Sequence, residues 1–317
     1  MANKYYDILR APHQVAFDIT NNCNLRCLHC FNSSGENDVI SNELSDGEVL
    51  HFIEDLASMN LYNVCFCGGE TLLRKELMCE CIKILKPSGS HCTAVTNGLL
   101  ANPATIQQLA SAGLDGIQFS LDGLRDSHER LRNKVGIFPK VIDAMKYVLN
   151  ETGLRLSIAF TPTSFNVKDF LGVYDLLVDL YEKSNRTTGS DYIDFRLQPL
   201  MLLGRAKDNP NIVPTDAQYR WLVQNINEVN LTGKCHPCID VKWGDPIDHL
   251  VRFRDTNYFM DQVSVHANGD IVVSAYLPLV VGNVRKRSLS EYLECRLKND
   301  MGNKCCPVFN CKNAKRE

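Results

Sequence analysis

From His13 to about Pro199, short apolar runs alternate with amphipathic helical stretches six times over, and this alternation limits the possible folds of the chain more than any other feature. Parallel strands need long return connections, and repeats of this kind are the pattern of strand and crossover-helix units. The predicted strands are Val15 to Thr20, Asn63 to Cys67, Cys92 to Thr96, Gly116 to Leu121, Leu154 to Thr161 and Tyr192 to Pro199. Ser45 and Glu48 form a capping box for a helix that buries Val49, Phe52, Ile53 and Leu56. Asn102-Pro103 opens a further helix and Gly113 closes it, while a helix led by Asn166 joins the fifth strand to the sixth. Six units predict an α/β fold, an open (β/α)6 partial TIM barrel rather than the closed eightfold one, with ligands at the carboxyl ends of the strands.

The chemistry-bearing residues fall at those ends. Cys23, Cys27 and Cys30 follow the first strand. Three thiolates at this spacing can hold three irons of a 4Fe-4S cluster and leave the fourth open, as a catalytic site requires. Zinc at the same thiolates is the alternative, although a structural zinc site closes with four ligands and no fourth follows nearby. Gly68-Gly69-Glu70-Thr71 follows the second strand: the glycines let backbone approach a ligand, and a carboxylate pairs with an ammonium. Cys65 and Cys67 project to one face of that strand, and Cys67 is a candidate hydrogen-atom donor. Cys79, Cys81 and Cys92 lack ligand spacing and read as packing residues.

Charge and composition exclude several classes. A net charge of −3 without a long basic run argues against nucleic acid as a partner. No run of about eighteen apolar residues occurs, so no membrane span is expected. Met1 to Arg10 carry no apolar signal segment, which predicts a cytoplasmic protein whose 14 cysteines serve metals or packing rather than disulfides.

The stretch Asp18-Ile-Thr-Asn-Asn-Cys23-Asn-Leu-Arg-Cys27-Leu-His-Cys30-Phe31, together with Gly68-Gly69-Glu70-Thr71, resembles the radical S-adenosylmethionine (radical SAM) enzymes over about residues 13–205. The resemblance implies that the cluster at Cys23, Cys27 and Cys30 binds SAM and cleaves it to a 5'-deoxyadenosyl radical. His29 matches the family's aromatic residue before the third cysteine, and Gly68, Gly69, Glu70 and Thr71 match the motif that holds the SAM amino group. Thr96-Asn97-Gly98 and Ser120-Leu121-Asp122-Gly123, followed by Arg132, look like the segments that complete SAM binding, so Asn97, Ser120, Asp122 and Arg132 are expected contacts. Gln198-Pro199 and Gly204-Arg205-Ala206 match a sequence of the peptide-modifying branch; they are expected either to line the substrate end or to form a surface loop.

Past Pro210 the character changes. Pro214-Thr215 starts a helix from Asp216 to about Val229, and Asn268-Gly269 predicts a hairpin of Gln262 to His266 with Asp270 to Ser274. Residues 230–312 resemble the SPASM or twitch extension that carries auxiliary clusters. Cys235, Cys238, Cys305 and Cys311 are the expected ligands of one auxiliary 4Fe-4S cluster, with Cys306 as the alternative to Cys305 and zinc as the alternative metal. Ser274 stands where the family has a further ligand, and Cys295 reads as packing. The expected division is a lead-in over 1–12, the partial barrel over 13–205, a bridging helix over 206–230 and a small α+β extension over 231–317.

The activity implied is a radical SAM oxidoreductase that abstracts hydrogen from a ribosomally made precursor peptide, leading to cross-linking or another oxidation. A dehydrogenase or epimerase of a sugar or cyclitol is the alternative enzyme, and a non-catalytic iron-sulfur electron carrier the alternative of another class. About twenty residues precede the cysteine loop, too few for the peptide-recognition domain often fused to such enzymes, so either a separate recognition protein or direct binding of the peptide by the barrel is expected, beside an electron donor such as flavodoxin or ferredoxin. Asp194, Gln198, Arg205, His236 and Cys67 are the candidates for a catalytic acid, base or hydrogen donor.

Overall fold

A computed structural model describes residues 11–36, 41–186, 192–231, 236–244 and 262–293. The first half alternates β1 (Gln14–Thr20), α1 (Asp46–Ser58), β2 (Asn63–Gly68), α2 (Lys75–Leu85), β3 (His91–Thr96), α3 (Pro103–Ala112), β4 (Gly116–Ser120), α4 (Arg125–Arg132) and α5 (Ile137–Glu151). It continues through β5 (Arg155–Phe160), α6 (Phe170–Glu182), β6 (Ile193–Leu197), the short α7 (Gly204–Lys207) and α8 (Asp216–Leu231). Four strands complete the described residues: β7 (Ile239–Trp243), β8 (Gln262–Val265), β9 (Asp270–Ser274) and β10 (Leu277–Asn283).

All lie in one open sheet of order β10-β9-β8-β1-β2-β3-β4-β5-β6-β7. β1 to β6 are parallel to their neighbours, as the alternating pattern requires. The two faces of the strands differ in chemistry. Val15, Phe17, Ile19, Val64, Phe66, Phe119, Ile158 and Phe195 are fully buried under the helices. Phe17 meets Phe52 of α1 edge-on at 5.2 Å, and Phe195 stacks on Phe170 of α6 at 5.7 Å. Each such ring stabilises the fold by about 1.5–3 kcal/mol relative to exposure. The opposite face carries Gln14, Asp18, Cys67, Gln118 and Ala159, polar or small, and these line a cavity instead of filling it.

The caps follow local sequence. Ser45 N donates to Glu48 Oε2 at 2.8 Å while Glu48 N donates to Ser45 Oγ, completing the predicted box. Asn102 Oδ1 accepts from Thr105 N, and Gly113 ends α3 at φ 100°. Thr215 and Gln218 form a second box at the start of α8. Asn166 departs from expectation: its side chain makes no helix cap, because Nδ2 donates to the carbonyls of Asp122 and Thr161 and Oδ1 accepts from Thr163.

The predicted hairpin forms as β8 and β9, turning at Gly269 with φ 86°. Its first strand, however, pairs in parallel with β1, Phe17 opposite Val265, so hairpin and barrel share one sheet. β7, which carries no clear strand signal, extends the other edge beside β6. Arg285 locks the hairpin to the start of α1, with Nε 2.6 Å from Glu48 Oε1 and further bonds to the carbonyls of Asn42 and Glu43. Cys235, Cys295, Cys305, Cys306 and Cys311 lie outside the described residues; Cys238 is described and buried.

Candidate active site

The loop after β1 is held from several sides before any ligand is considered. Gly69 N donates to Thr20 O and Glu70 N to Asn22 O, so the glycine turn after β2 is stitched to the cysteine loop after β1. A Cβ on Gly69 would stand 2.2 Å from Asn22 O, and Gly68 adopts φ 124° with Thr20 O as close. Both positions therefore exclude a side chain. Leu28 N donates to Leu131 O, anchoring the loop to α4.

The segment Gly204-Arg205-Ala206 braces the same loop. Arg205 donates to the carbonyls of Cys27 and Ser34, both at 3.1 Å, and pairs with Glu36. Gly204 has φ 51°, and an added Cβ would lie 2.6 Å from Phe31 O. No local signal assigns Arg205 its bond to the Cys27 carbonyl, which joins residues 178 positions apart.

Cys23, Cys27 and Cys30 face a cavity of about 280 Å³ at the carboxyl ends of the strands. Gly68, Gly69, Asn97, Ser120, Arg132 and Gln198 line it with them, as do His29 and Cys67. Three expected contacts stand behind the wall. Glu70 is 1% exposed and its carboxylate accepts from Thr96 Oγ1, Asn97 N and Leu72 N at 2.7, 2.8 and 3.0 Å. Burial raises its pKa against those three bonds. Thr71 donates to Val95 O, and Asp122 is fully buried. These groups shape the turns. Among the further candidates Arg205 also lines the cavity, whereas Asp194 pairs with Arg196 and Lys242, and His236 sits against Tyr174 and Tyr181.

Charge in the wall is organised by Asp122. Its Oδ2 lies 2.5 Å from Arg132 Nε and 3.7 Å from His29 Nε2, and its Oδ1 accepts from Thr161 N. Burial would raise the carboxyl, but Arg132 and the neighbouring histidines hold it below its ordinary value. Arg132 reaches on to Cys27 Sγ at 3.8 Å. Burial pushes the Cys27 thiol up to about 11 despite Arg132, and raises Cys23 as well.

The donors present suit a 4Fe-4S cluster with SAM beside it. Three cysteines on one loop supply thiolates, and Arg132 offers a cation to an anionic assembly. Gln198 Oε1 and His29 Nδ1 are buried without a hydrogen-bond partner in a cavity wall, where a bound molecule could satisfy them. No three His, Cys, Asp or Glu among the described residues converge as one ion would require, whereas cluster thiolates bind separate irons.

His128, on α4, accepts from Asp122 N through Nδ1, and burial lowers it from 6.5 to about 4. Between those values the unfolded chain binds the proton and the folded one does not, so stability falls as pH drops through this window. Urea unfolding at stepped pH is expected to show that slope in the native protein and a flatter one in His128→Gln.

Residues 17–177 match the Radical SAM superfamily. Fe-coproporphyrin III synthase of Methanosarcina barkeri is 32% identical over 163 residues, 51% of this chain and 40% of that protein. Mycofactocin maturase MftC of Mycolicibacterium smegmatis is 30% identical over 234 residues, 71% of this chain and 55% of that protein. This chain thus spans about half the length of these two relatives. Streptococcus suis SuiB bound to precursor peptide SuiA shares the fold, with TM-score 0.68 at 17% identity over 92% of this chain and 66% of SuiB.

Proposed function

This chain belongs to the radical SAM superfamily, and on that premise we propose that it oxidises a ribosomally synthesised precursor peptide at an unactivated C–H bond. When bound, the family's 4Fe-4S cluster and SAM supply the one-electron chemistry that opens such bonds. Cys23, Cys27 and Cys30 would ligate the cluster. The backbone of Gly68 and Gly69, with Asn97, Ser120, His29, Arg132 and Gln198, would hold SAM, and Glu70, Thr71 and Asp122 keep those turns in place. Cys67 would face the substrate, its Sγ 3.5 Å from that of Cys65. The barrel over 13–205 and an extension over 231–317, with one auxiliary cluster at Cys235, Cys238, Cys305 and Cys311, belong to the same proposal, as do a recognition protein and a flavodoxin or ferredoxin donor.

The observation that carries the peptide reading is the cavity mouth. Phe31 of the cysteine loop packs on Tyr276 at 5.2 Å in the cavity wall, and Phe31 is exposed, so an aromatic pair stands beside polar groups such as Gln118, Gln198 and Arg205. A peptide backbone with one inserted side chain suits such a surface, and the precursor peptide on SuiB supports it. An iron tetrapyrrole is the second reading, favoured by the resemblance to Fe-coproporphyrin III synthase.

The reconstituted protein, SAM and reductant are to be incubated anaerobically with the short peptides encoded beside the gene and, separately, with an iron tetrapyrrole convertible to Fe-coproporphyrin III, the product that relative is named for. The expected result is 5'-deoxyadenosine with loss of two hydrogens from a peptide. A mass change in the tetrapyrrole and none in the peptides would reverse the choice.

A further inference from the structure

One pair of titratable groups in the cavity wall is used by none of the roles above. Asp18 on β1 and His266 just after β8 are register neighbours, one step beyond the Phe17–Val265 pair. Both line the cavity that the three cysteines face. His266 Nδ1 is 2.9 Å from Asp18 Oδ2. The backbone of His266 is held as well: its N donates to Asp270 O and its carbonyl accepts from Gly269 N, so the hairpin turn fixes its position. The imidazole is 31% exposed, and Nε2 has no partner among the described residues. A carboxylate on one ring nitrogen and an open second nitrogen orient a histidine for proton transfer.

We propose that His266, positioned by Asp18, accepts the proton released when the substrate radical in this cavity is oxidised. This role presupposes the oxidative peptide reading. After hydrogen-atom abstraction the substrate carbon holds one unpaired electron. The X–H bond of an attacking group, X being sulfur, nitrogen or oxygen, breaks, and its electron pair forms the new C–X bond. The proton goes to Nε2, the surplus electron passes to a one-electron acceptor of the iron-sulfur class, and the imidazolium releases the proton to water through the open side of the cavity.

The surrounding charges agree with the assignment. Asp18 from β1 and Asp270 from β9 are the charged groups that act on the imidazole, with Cys67 and Tyr276 in the same cavity wall. The hydrogen bond to Asp18 raises His266 above its usual value, while burial pulls the other way. The base is then present above that raised value, and product formation is expected to climb with pH through it.

Two measurements on the cluster-loaded protein test the assignment. Deuterium exchange at histidine Cε1, followed by mass spectrometry across pH, is expected to place the His266 midpoint above 6.5 and to lower it in Asp18→Asn. Product formed per 5'-deoxyadenosine, read with the neighbouring peptide, is expected to fall ~10²-fold in His266→Gln. The same ratio should lose its pH dependence there, and His266→Ala should recover part of it with added imidazole. An unchanged ratio in His266→Gln, or a midpoint at or below 6.5, overturns the proposal. A peptide left unmodified by the native protein overturns the peptide reading, and the His266 midpoint then decides the dyad by itself.

Discussion

Asp122→Ala is expected to destabilise the protein by about 3–5 kcal/mol and to abolish SAM cleavage, because it leaves the Arg132 guanidinium buried without its counter-ion. Arg132 is 9% exposed, bonded through Nε to Asp122 at 2.5 Å and through Nη1 to Cys27 Sγ at 3.8 Å. The same change strands Thr161 N, which donates to Asp122 Oδ1, and removes the anion nearest His29. Replacing both partners by apolar residues of similar size, Asp122→Leu with Arg132→Met, is expected to recover most of the stability, since no uncompensated charge then remains inside. It should not recover SAM cleavage, because the cation beside Cys27 is gone. Anaerobic urea unfolding and chromatography of 5'-deoxyadenosine separate the two effects. A single-variant loss below about 1 kcal/mol would show that solvent reaches the pair and that the burial argument is wrong.

Cys27→Ala is expected to eliminate 5'-deoxyadenosine formation entirely and to remove the iron bound by the loop, while costing about 1 kcal/mol of stability at most. The loop should keep its course, since Leu28 N to Leu131 O and Arg205 to the Cys27 carbonyl do not involve the thiol. Cys81→Ala is the matched control. Cys81 is fully buried in α2, away from the cavity, and its loss should lower stability to a similar extent without touching iron content or SAM cleavage. Activity surviving Cys27→Ala, or iron lost equally from both variants, would remove the cysteine loop from its assigned role.

The two predictions draw on different layers of information. Cys23, Cys27 and Cys30 stand out by spacing alone, whereas the Asp122–Arg132–Cys27 contact could be anticipated only as two unrelated expected ligand contacts. Glu70 shows the same gap. A carboxylate after two glycines invites a ligand ammonium, yet here Thr96, Asn97 and Leu72 already occupy it. Asn166 has the residue type of a cap and the position of a cap, but Thr163 N and Oγ1 take its Oδ1, the atom a cap would use, while Asp122 O and Thr161 O hold its Nδ2.

What the sequence determined by itself is whatever a few neighbouring residues can encode: strand faces such as Val15, Phe17 and Ile19, the capping box at Ser45, the helix start at Pro214-Thr215, the stop at Gly113, and the cysteine spacing. Periodicity and capping are short-range effects, so each is present in the local string. The tertiary structure decided which strand lies beside which. β8 joins β1 across some 248 positions and brings His266 to Asp18, and Arg205 reaches the Cys27 carbonyl from the far end of the barrel. No local pattern specifies such pairings, because their free energy comes from surfaces that meet only after the sheet has formed.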